Sequence, residues 1–312
     1  MSERKQIRLG LIGYGEVGST LGKGLREQGL ANIASYDKYA FDGPFSALIQ
    51  RRAREANVEL VASPEALAAR VDLIIGVTPG GACLESAEAF NRHLGSRHVF
   101  VDLASATPKV KQGVAERLRS SGAKVADGSI MGSPHTDGYR IPILASGPAA
   151  QPFCDLMVPW GMQIEPLESA LGTASGIKIM RSVIAKGLEA LLVEFALGAR
   201  RYGIDEAVLK SWGKFVDQRP FVELANFLLV TDAIHAERRA EEAAMSADAL
   251  EEIGIEPIMT RSTAKRLQWV ADLGMKDHFG GVVPKHYGEA IDAIEAKLAA
   301  AASARKVSAQ SD

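Results

Sequence analysis

Residues 7–18 read Ile7-Arg8-Leu9-Gly10-Leu11-Ile12-Gly13-Tyr14-Gly15-Glu16-Val17-Gly18. The first half is an apolar run typical of a buried strand, and the second half carries glycines in the spacing G-x-G-x-x-G. Residues 17–28 then have the apolar periodicity of a helix. A strand that enters a helix through such a turn leaves free backbone N–H groups beside glycines that let another molecule approach. The stretch therefore predicts a phosphate-binding turn at the start of a βαβ unit.

A carboxylate follows at the place where a dinucleotide-binding unit needs one. Asp37 comes directly after the second apolar run, roughly 20 residues beyond the glycines. There it would accept hydrogen bonds from the adenosine ribose and repel the extra phosphate of NADP. We therefore predict NAD as the cofactor, with NADP possible because Lys38 is adjacent. The predicted cofactor-binding residues are Gly13, Tyr14, Gly15, Glu16, Val17, Asp37, Lys38, Thr78 and Pro79.

Strand-like and helix-like segments alternate through the first half of the chain. Strands are predicted at 7–12, 33–36, 58–61, 73–77, 99–103, 124–126 and 142–145, with helices at 17–28, 45–56 and 84–93 and a short one opened by Ser63-Pro64-Glu65. This alternation predicts a doubly wound, mostly parallel sheet of the Rossmann type. Thr78–Gly81 follows the strand at 73–77 and is expected to line the cofactor cleft, the alternative being a plain Pro-Gly turn.

The pattern becomes helical from about residue 171. Helices are predicted at 174–201, 205–212, 221–254 with an internal break, 258–273 and 287–302. The first of these is expected to be one long helix, buried over much of its circumference. The predicted fold is thus α/β, with a dinucleotide-binding domain at 1–165 and an all-α domain for substrate binding and dimerisation at 166–312.

Composition narrows the class of partner. The formal net charge is -2, with 36 basic against 38 acidic side chains, so we expect neither nucleic acid nor a membrane surface as a partner. The two cysteines, Cys83 and Cys154, are predicted to be buried thiols, and no metal site is predicted. With no secretory signal at the charged start, a cytoplasmic location is expected. The tail at 299–312 is expected to fray or to be disordered.

Three further segments accompany the glycine turn. They are Asp102-Leu103-Ala104-Ser105-Ala106-Thr107-Pro108, Asp127-Gly128-Ser129-Ile130-Met131-Gly132-Ser133 and Gly172-Thr173-Ala174-Ser175-Gly176-Ile177-Lys178. The glycine turn and these three segments, taken in this order along the chain, resemble the β-hydroxyacid dehydrogenases, which include 6-phosphogluconate and 3-hydroxyisobutyrate dehydrogenases. The resemblance covers roughly residues 7–200. Within this family the chain looks closest to a bacterial branch whose helical domain has no assigned function.

The resemblance implies a role for each matching position. Lys178 would be the catalytic group, Ser105 would contact the substrate, and Gly132 with Ser133 would receive the substrate carboxylate. Two positions depart from the family pattern. Met131 replaces the serine that normally precedes the paired glycines, and Ser182 replaces the asparagine usual four residues after the lysine. These departures predict a less usual, bulkier substrate.

The residues themselves also favour catalysis by Lys178. A lysine near the start of a largely apolar helix, at a domain junction, is oddly placed for a solvated charge. Oxidising a secondary alcohol requires a base for the hydroxyl proton, and partial burial brings a lysine towards that role. Ser182 lies one turn further on the same face and is predicted to contact the substrate. Lys186, two turns on, is the rival base, and an ion-paired structural lysine is the other alternative.

Other polar residues are candidates for contact with the substrate. His235 and Arg239 lie four residues apart on a predicted helix face and would suit an anionic substrate, so both are predicted to bind it. The alternative is a salt-bridged surface, since glutamates surround them. His135, Tyr139 and Arg140 follow the Met131–Ser133 segment and are expected to lie in a surface loop.

Together these observations predict an NAD(P)-dependent dehydrogenase acting on a β-hydroxy acid or related secondary alcohol. Its site would lie in a cleft between the two domains, and a homodimer is expected. One rival is a reductase of C=N bonds on the same scaffold. A second is a non-catalytic protein that senses or binds the dinucleotide without turnover.

Overall fold

The computed structural model describes residues 6–308, with side chains up to residue 303. The charged start at 1–5 and the last part of the predicted frayed tail lie outside the described residues. The chain forms two compact units, and the division between them falls between Val183 and Ile184, inside one helix. The predicted boundary at 165/166 precedes that helix. The first turns of the helix therefore pack with the sheet rather than with the later helices.

The first unit is built on one eight-stranded sheet. Its strands are β1 (Arg8–Ile12), β2 (Asn32–Tyr36), β3 (Glu59–Val61), β4 (Leu73–Gly76), β5 (Val99–Asp102), β6 (Lys124–Ile130), β7 (Ile143–Ser146) and β8 (Ile164–Leu167). The order across the sheet is β3-β2-β1-β4-β5-β6-β7-β8, and only the β6–β7 pair is antiparallel. The chain reverses direction across the sheet between β1 and β4, which is where doubly wound sheets bind dinucleotides. The predicted fold class is confirmed.

Seven helices cover the sheet within the described part of the chain before the long helix. They are α1 (Glu16–Glu27), α2 (Ser46–Ala56), α3 (Pro64–Ala68), α4 (Cys83–Asn91), α5 (Pro108–Leu118), α6 (Pro134–Asp137) and α7 (Ala150–Met157). The predicted start of α3 is confirmed, because Ser63 Oγ accepts a hydrogen bond from the Ala66 N–H at 3.1 Å. The strand β8 and the helices α5, α6 and α7 were not predicted. Thr107-Pro108 was a usable signal for α5, since the Thr107 side chain caps it.

Alternate residues of the central strands enter two separate cores. Leu9, Leu11 and Ile75 pack with the layer that contains α1, α2 and α7, whereas Ile74 and Phe100 pack with α3, α4 and α5. All five side chains are at most 2% exposed. Burial on both faces explains why these strands appear in the sequence as continuous apolar runs rather than alternating ones. Cys83 is buried as predicted, whereas Cys154 is only half-buried, and both are free thiols.

The long helix and those after it follow the sheet. They are α8 (Thr173–Tyr202), α9 (Asp205–Val216), α10 (Phe221–Glu252), α11 (Ile258–Asp272), α12 (Met275–His278) and α13 (Tyr287–Ser308). The internal break predicted within 221–254 was wrong, because α10 is continuous. No glycine or proline interrupts residues 221–252, and alanine-rich stretches favour the helix. A small core of the second unit joins Ala233 and Ala236 of α10 to Val270 and Met275.

The prediction that α8 is buried over much of its circumference was wrong for the single chain. Val193 and Leu197 of this helix are 59% and 54% exposed, and Leu188 and Leu192 are also exposed. Apolar periodicity predicts that a face must be covered, but it does not say by which chain. An apolar face of this extent on one chain is typical of a surface that associates.

A buried ion cluster lies beneath the carboxyl ends of β5 and β6. Lys111 of α5 is 1% exposed, and its Nζ lies 3.1 Å from Asp102 Oδ2 and 3.5 Å from Asp127 Oδ1. The same ammonium donates to the Asp102 carbonyl oxygen at 2.7 Å. Burial raises the pKa of Asp102, against the opposing effect of Lys111. A charge so far from water is tolerated because it is paired and hydrogen-bonded.

The same cluster fixes the start of α8. The other oxygen of Asp127 accepts a hydrogen bond from the Ser175 N–H at 2.8 Å. Ser146 Oγ accepts one from the Ala174 N–H at 3.1 Å. These two bonds satisfy N–H groups that have no partner inside the helix, and the Asp127 carboxylate also suits the positive end of the helix dipole. The first turn of α8 is thereby attached to β6 and β7.

Glu194 performs a similar function inside the second unit. Its carboxylate, on α8, accepts hydrogen bonds from the Met259 and Thr260 N–H groups and from the Thr260 hydroxyl, each within 2.8 Å. Burial alone would raise the pKa of Glu194, but the hydrogen bonds from Thr260, Met259 and Ile258 outweigh it and lower that pKa. The side chain thus caps the N-terminus of α11 and ties it to α8.

Replacing Asp127 by alanine should destabilise the first unit by about 3 kcal/mol, because it removes a partner of a buried lysine and the acceptor for the Ser175 N–H. The free energy of unfolding in guanidinium, followed by circular dichroism, measures this. Asp155→Ala is the matched control, since Asp155 is exposed and bonds only Gln151 on its own helix. Equal stability of the two variants would contradict the structural role given to Asp127.

Replacing Glu194 by glutamine should lower stability at neutral pH by about 1 kcal/mol through the weaker cap. The lowered pKa of Glu194 also determines the direction in which stability changes with pH. The stabilisation is complete above the ordinary glutamate value of about 4.3 and disappears as the pH falls through the lower folded-state pKa. Melting temperatures between about pH 3 and pH 7 should therefore fall less steeply in acid for Glu194→Gln than for the native chain. The exposed Glu295 supplies the control, and Glu295→Gln should melt as the native chain does.

Candidate active site

The glycine turn between β1 and α1 has the geometry that its sequence predicts. Gly13 has a φ of 93°, in the region that favours glycine, and its N–H donates to the Tyr36 carbonyl at 2.8 Å. A Cβ on Gly18 would lie 2.2 Å from the Gly13 oxygen, so only glycine lets α1 pack this closely. A Cβ on Gly15 would meet no atom within 4 Å, which leaves open space where a ligand can approach the backbone.

Asp37 is held in place at the end of β2. Its Oδ2 accepts a hydrogen bond from the Tyr14 N–H at 2.8 Å, and its Oδ1 accepts one from the Tyr39 N–H at 2.9 Å. The carboxylate thus links the glycine turn to the loop after β2. The Tyr14 side chain lies in the core, where burial raises its pKa to about 12. Tyr14 therefore presents only its backbone on the turn.

A cavity of about 400 Å³ opens beside this turn. Among the predicted cofactor residues its lining includes Gly13, Gly15, Asp37, Lys38, Thr78 and Pro79. Sequence reasoning missed further lining residues, which lie on α2 and α4 or directly before them: Phe45, Arg52, Ala82, Ser86 and Phe90. The signal for these residues was weak, because they are spread along two amphipathic helices without a motif.

The residues present fit a dinucleotide. An anion can reach the N-terminus of α1 across Gly15, and the apolar wall at Phe45 suits a flat aromatic base. Asp37 stands at the position for a ribose, although both of its oxygens already accept backbone hydrogen bonds. Glu16 is the first residue of α1 and is exposed, and Val17 packs against the core.

The loop after β4 touches the loop after β5. A Cβ on Gly80 would lie 2.0 Å from the Ser105 carbonyl oxygen, so glycine at position 80 is needed for this contact. Pro79, next to it, lines the cavity. Ser105 is exposed in the loop after the carboxyl end of β5 and precedes the first residue of α5, Pro108, by three positions. The predicted cofactor and substrate loops are therefore in direct contact.

Lys178 and Ser105 lie together. The Lys178 Nζ donates to Ser105 Oγ at 3.0 Å, and the lysine side chain is half-buried. Both belong to the first unit, and the anchored start of α8 carries the lysine one turn beyond Ser175. An amine and a hydroxyl in hydrogen-bond contact can hold and move a proton on a bound alcohol.

The next turn of α8 adds residues to this neighbourhood. Ser182 follows by one turn and is half-buried. Arg181, which sequence reasoning missed, donates from Nη1 to the Met131 carbonyl at 3.4 Å and so brings the loop after β6 to this turn. Lys186, the rival base, is exposed and belongs to the second unit.

The loop after β6 places Gly132 and Ser133 in a tight turn. Ser133 caps α6, with its Oγ accepting from the His135 N–H at 3.3 Å. The Ser133 N–H donates to Asp137 Oδ2 at 2.8 Å. His135 reaches Glu16 of α1, with its Nε2 2.9 Å from the Glu16 carboxylate. This contact joins the glycine turn to the loop.

The predicted substrate residues of the second unit have their own local partners. Arg239 donates to Thr231 Oγ1 at 2.9 Å and lies 3.7 Å from Asp232. Burial raises the pKa of Asp232, against the effect of Arg239. His235 lies between Thr231 and Arg239 on this face of α10 and is exposed. Substrate contact by His235 and Arg239 stays a prediction.

Two kinds of feature are absent from the described residues. Within residues 6–308, no three histidine, cysteine, aspartate or glutamate side chains converge in a group that could hold a metal. Across the same stretch, none of the helices combines the length and apolarity needed to span a membrane.

Comparison with known families identifies both parts of the chain. Residues 8–151 match the NAD binding domain of 6-phosphogluconate dehydrogenase, so this part of the chain is an NAD-binding domain. Residues 199–270 match a domain of unknown function, DUF1932. The first match covers the sheet, the glycine turn and the cavity.

Solved structures agree with these matches. The conserved protein MTH1747, described as structurally similar to 3-hydroxyacid dehydrogenases, is 30% identical over 85% of this chain and 98% of its own, with a TM-score of 0.59. A conserved hypothetical protein from Sinorhizobium meliloti is 26% identical over 94% of this chain and 97% of its own, with a TM-score of 0.62. An imine reductase from Aspergillus terreus shares the fold at 17% identity, covering 86% and 95% of the two chains with a TM-score of 0.70. The chain belongs to the β-hydroxyacid dehydrogenase family, with an NAD-binding domain of the 6-phosphogluconate dehydrogenase type.

Proposed function

We propose that this protein is an NAD(P)-dependent dehydrogenase that oxidises a secondary alcohol of the β-hydroxy acid class or a related compound. The contact between Lys178 Nζ and Ser105 Oγ, at 3.0 Å, carries the proposal. It joins a proton-transferring amine to a hydroxyl at the carboxyl end of β5, where open α/β sheets bind their ligands. The Gly80–Ser105 contact connects that end to the cofactor cavity.

In this proposal each polar residue has one task. Lys178 accepts the hydroxyl proton during oxidation and returns it during reduction. Ser105 holds the substrate oxygen next to the amine, and Ser182 contacts the substrate from the following turn of α8. The nicotinamide, when bound, supplies the hydride chemistry. The helical part at 166–312, with His235 and Arg239, is proposed to contribute to substrate binding. We also propose a cytoplasmic location, which suits two free cysteine thiols.

NAD is the proposed preference over NADP. Asp37 is held by two backbone N–H groups, so its negative charge stays where a 2′-phosphate would need to bind. Lys38 and Arg52 line the same cavity and offer positive charge that would reduce this discrimination. We therefore propose that NADP also binds, but with lower affinity than NAD.

Imine reduction is the second candidate function. It is favoured by the fold that the chain shares with an imine reductase, and by Ser182 at the position where the family resemblance implies asparagine. A C=N reductase needs a proton donor but no strong base for a hydroxyl. A panel that contains cyclic imines as well as alcohols separates the two activities, and cofactor binding without any turnover would favour a dinucleotide-sensing protein.

Replacing Lys178 by alanine should reduce turnover of the best alcohol by about 10²- to 10⁴-fold, the range for loss of a general acid or base. The affinity for NAD should stay nearly unchanged, because the cavity lining does not include Lys178. Initial rates are followed by the absorbance of the reduced cofactor across β-hydroxy acids and aryl-substituted β-hydroxy compounds, and NAD affinity by calorimetry.

The control for this experiment is Lys186→Ala, on the same helix and exposed. It should retain native turnover. Native turnover in Lys178→Ala with loss in Lys186→Ala would transfer the role to the rival base. Activity on imines that survives in Lys178→Ala would instead support the second candidate function.

A homodimer is proposed on the exposed apolar side chains of α8. Leu188, Leu192, Val193 and Leu197 of the second unit are all at least 42% exposed. Side chains of this kind, left in water, would each forgo about 1.5–3 kcal/mol of burial free energy. A second copy of the chain presents the same face and can cover it through a two-fold axis.

Light scattering after gel filtration should give about twice the chain mass of 33.3 kDa. The double variant Leu192→Asp/Leu197→Asp should shift the mass towards one chain, since it places charge in an apolar interface. Val158→Asp is the control, because Val158 is an exposed apolar residue of the first unit. A native protein that elutes at one chain mass would contradict the proposal.

A further inference from the structure

A carboxylate of the chain itself lies in the place predicted for the substrate carboxylate. The Ser133 N–H donates to Asp137 Oδ2 at 2.8 Å. A Cβ on Gly132 would lie 2.3 Å from the same oxygen and 3.0 Å from Pro142 Cδ. Gly132, which the family resemblance implies would receive the substrate carboxylate together with Ser133, therefore makes room for Asp137.

The turn around Asp137 is closed by several hydrogen bonds. The Asp137 N–H donates to the Ser133 carbonyl at 2.9 Å, and the Thr136 hydroxyl donates to the same oxygen at 3.3 Å. Ser133 Oγ in turn accepts from the His135 N–H. The backbone N–H and C=O of Ser133 are both engaged within residues 133–137. Asp137 is thus held in the turn by its own backbone as well as by its side chain.

One hydrogen bond connects the loop that carries this turn to the helix of the proposed catalytic lysine. Arg181, three residues after Lys178, donates to the carbonyl of Met131, the residue before Gly132. A substrate held between Lys178 and Ser105 would extend towards the loop after β6. A substrate carboxylate there would have to displace Asp137 from the Ser133 N–H or lie beside a like charge, and both weaken binding.

We propose that Asp137 is a specificity-determining residue that excludes a free carboxylate, so that the substrate is an uncharged secondary alcohol such as an ester, an amide or an aryl-substituted compound. This inference rests on the proposed function and narrows its substrate class. Met131, where the family resemblance implies a small serine, adds an apolar side chain beside the same turn. Arg181 is the competing feature, because its guanidinium could hold an anion instead.

The experiment compares β-hydroxybutyrate with its methyl ester, two alcohols that differ in one charge, using the full-length protein saturated with NAD. For the native protein we expect kcat/KM for the ester to exceed that for the acid by about tenfold or more, the value of a charged hydrogen bond. Asp137→Ala should raise kcat/KM for the acid by about tenfold and should change kcat/KM for the ester by less than about threefold. Asp137→Asn removes the charge, keeps an acceptor for Ser133 and should give an intermediate result, which protects the test if the alanine variant misfolds. Asp155→Ala, an equal loss of charge on α7, should match the native protein.

A binding measurement separates this inference from the proposed function. Calorimetry of β-hydroxybutyrate with the NADH-loaded protein needs no turnover, since alcohol and reduced cofactor cannot react. Binding to Asp137→Ala but not to the native protein would support the inference even if no alcohol were oxidised, in which case only the proposed function fails. Native protein that binds or oxidises the acid as well as the ester would overturn the inference and leave the proposed function standing. Loss of that acid binding in Arg181→Met would identify the arginine as the anion receptor, and failure of Asp137→Ala to gain acid binding would also overturn the inference.

Discussion

The hydrogen bond from the Ser175 N–H to Asp127 is the interaction on which the candidate site depends. It attaches the start of α8 to β6, and the buried ammonium of Lys111 holds the same carboxylate from the other side. Lys178 sits one turn beyond this bond, so the position of its amine follows from a buried ion cluster rather than from its own contacts alone. Ser105 reaches the amine from the neighbouring strand, whose last residue, Asp102, is the second partner of Lys111. One cluster thereby positions both members of the proposed proton-transfer pair.

Much of the first unit could be predicted because its signals are local. The glycine spacing, the apolar runs and the Ser63-Pro64 start of α3 each depend on a few neighbouring residues, and the structure has them where the sequence implies. The pairing of Lys178 with Ser105 was reachable only through the order of the family segments, since the two residues are far apart in the chain. Lys111 was missed, because a lysine on a polar helix gives no sign that β5 and β6 will enclose it.

The errors have physical causes that sequence periodicity does not contain. A break was expected in α10, whereas the alanines there belong to a continuous helix and supply small side chains to the core of the second unit. α8 was expected to be buried over much of its circumference, but many of its apolar side chains are exposed in the single chain. Gly132 and Ser133 were expected to receive a substrate carboxylate, which stays a prediction, and a carboxylate of the same loop lies against both residues. In each case the pattern gave the property of the residue but not the identity of its neighbour.

The close approach of Gly80 to the Ser105 carbonyl has a consequence for the order in which ligands bind. Pro79, beside Gly80, lines the cofactor cavity, so a bound dinucleotide would press on the loop that backs Ser105. Because Gly80 packs directly against the Ser105 carbonyl, a shift of one loop would be transmitted to the other. We expect the substrate half of the site to adopt its working position only once the cofactor is in place. A dehydrogenase of the proposed kind would then bind the dinucleotide before its substrate.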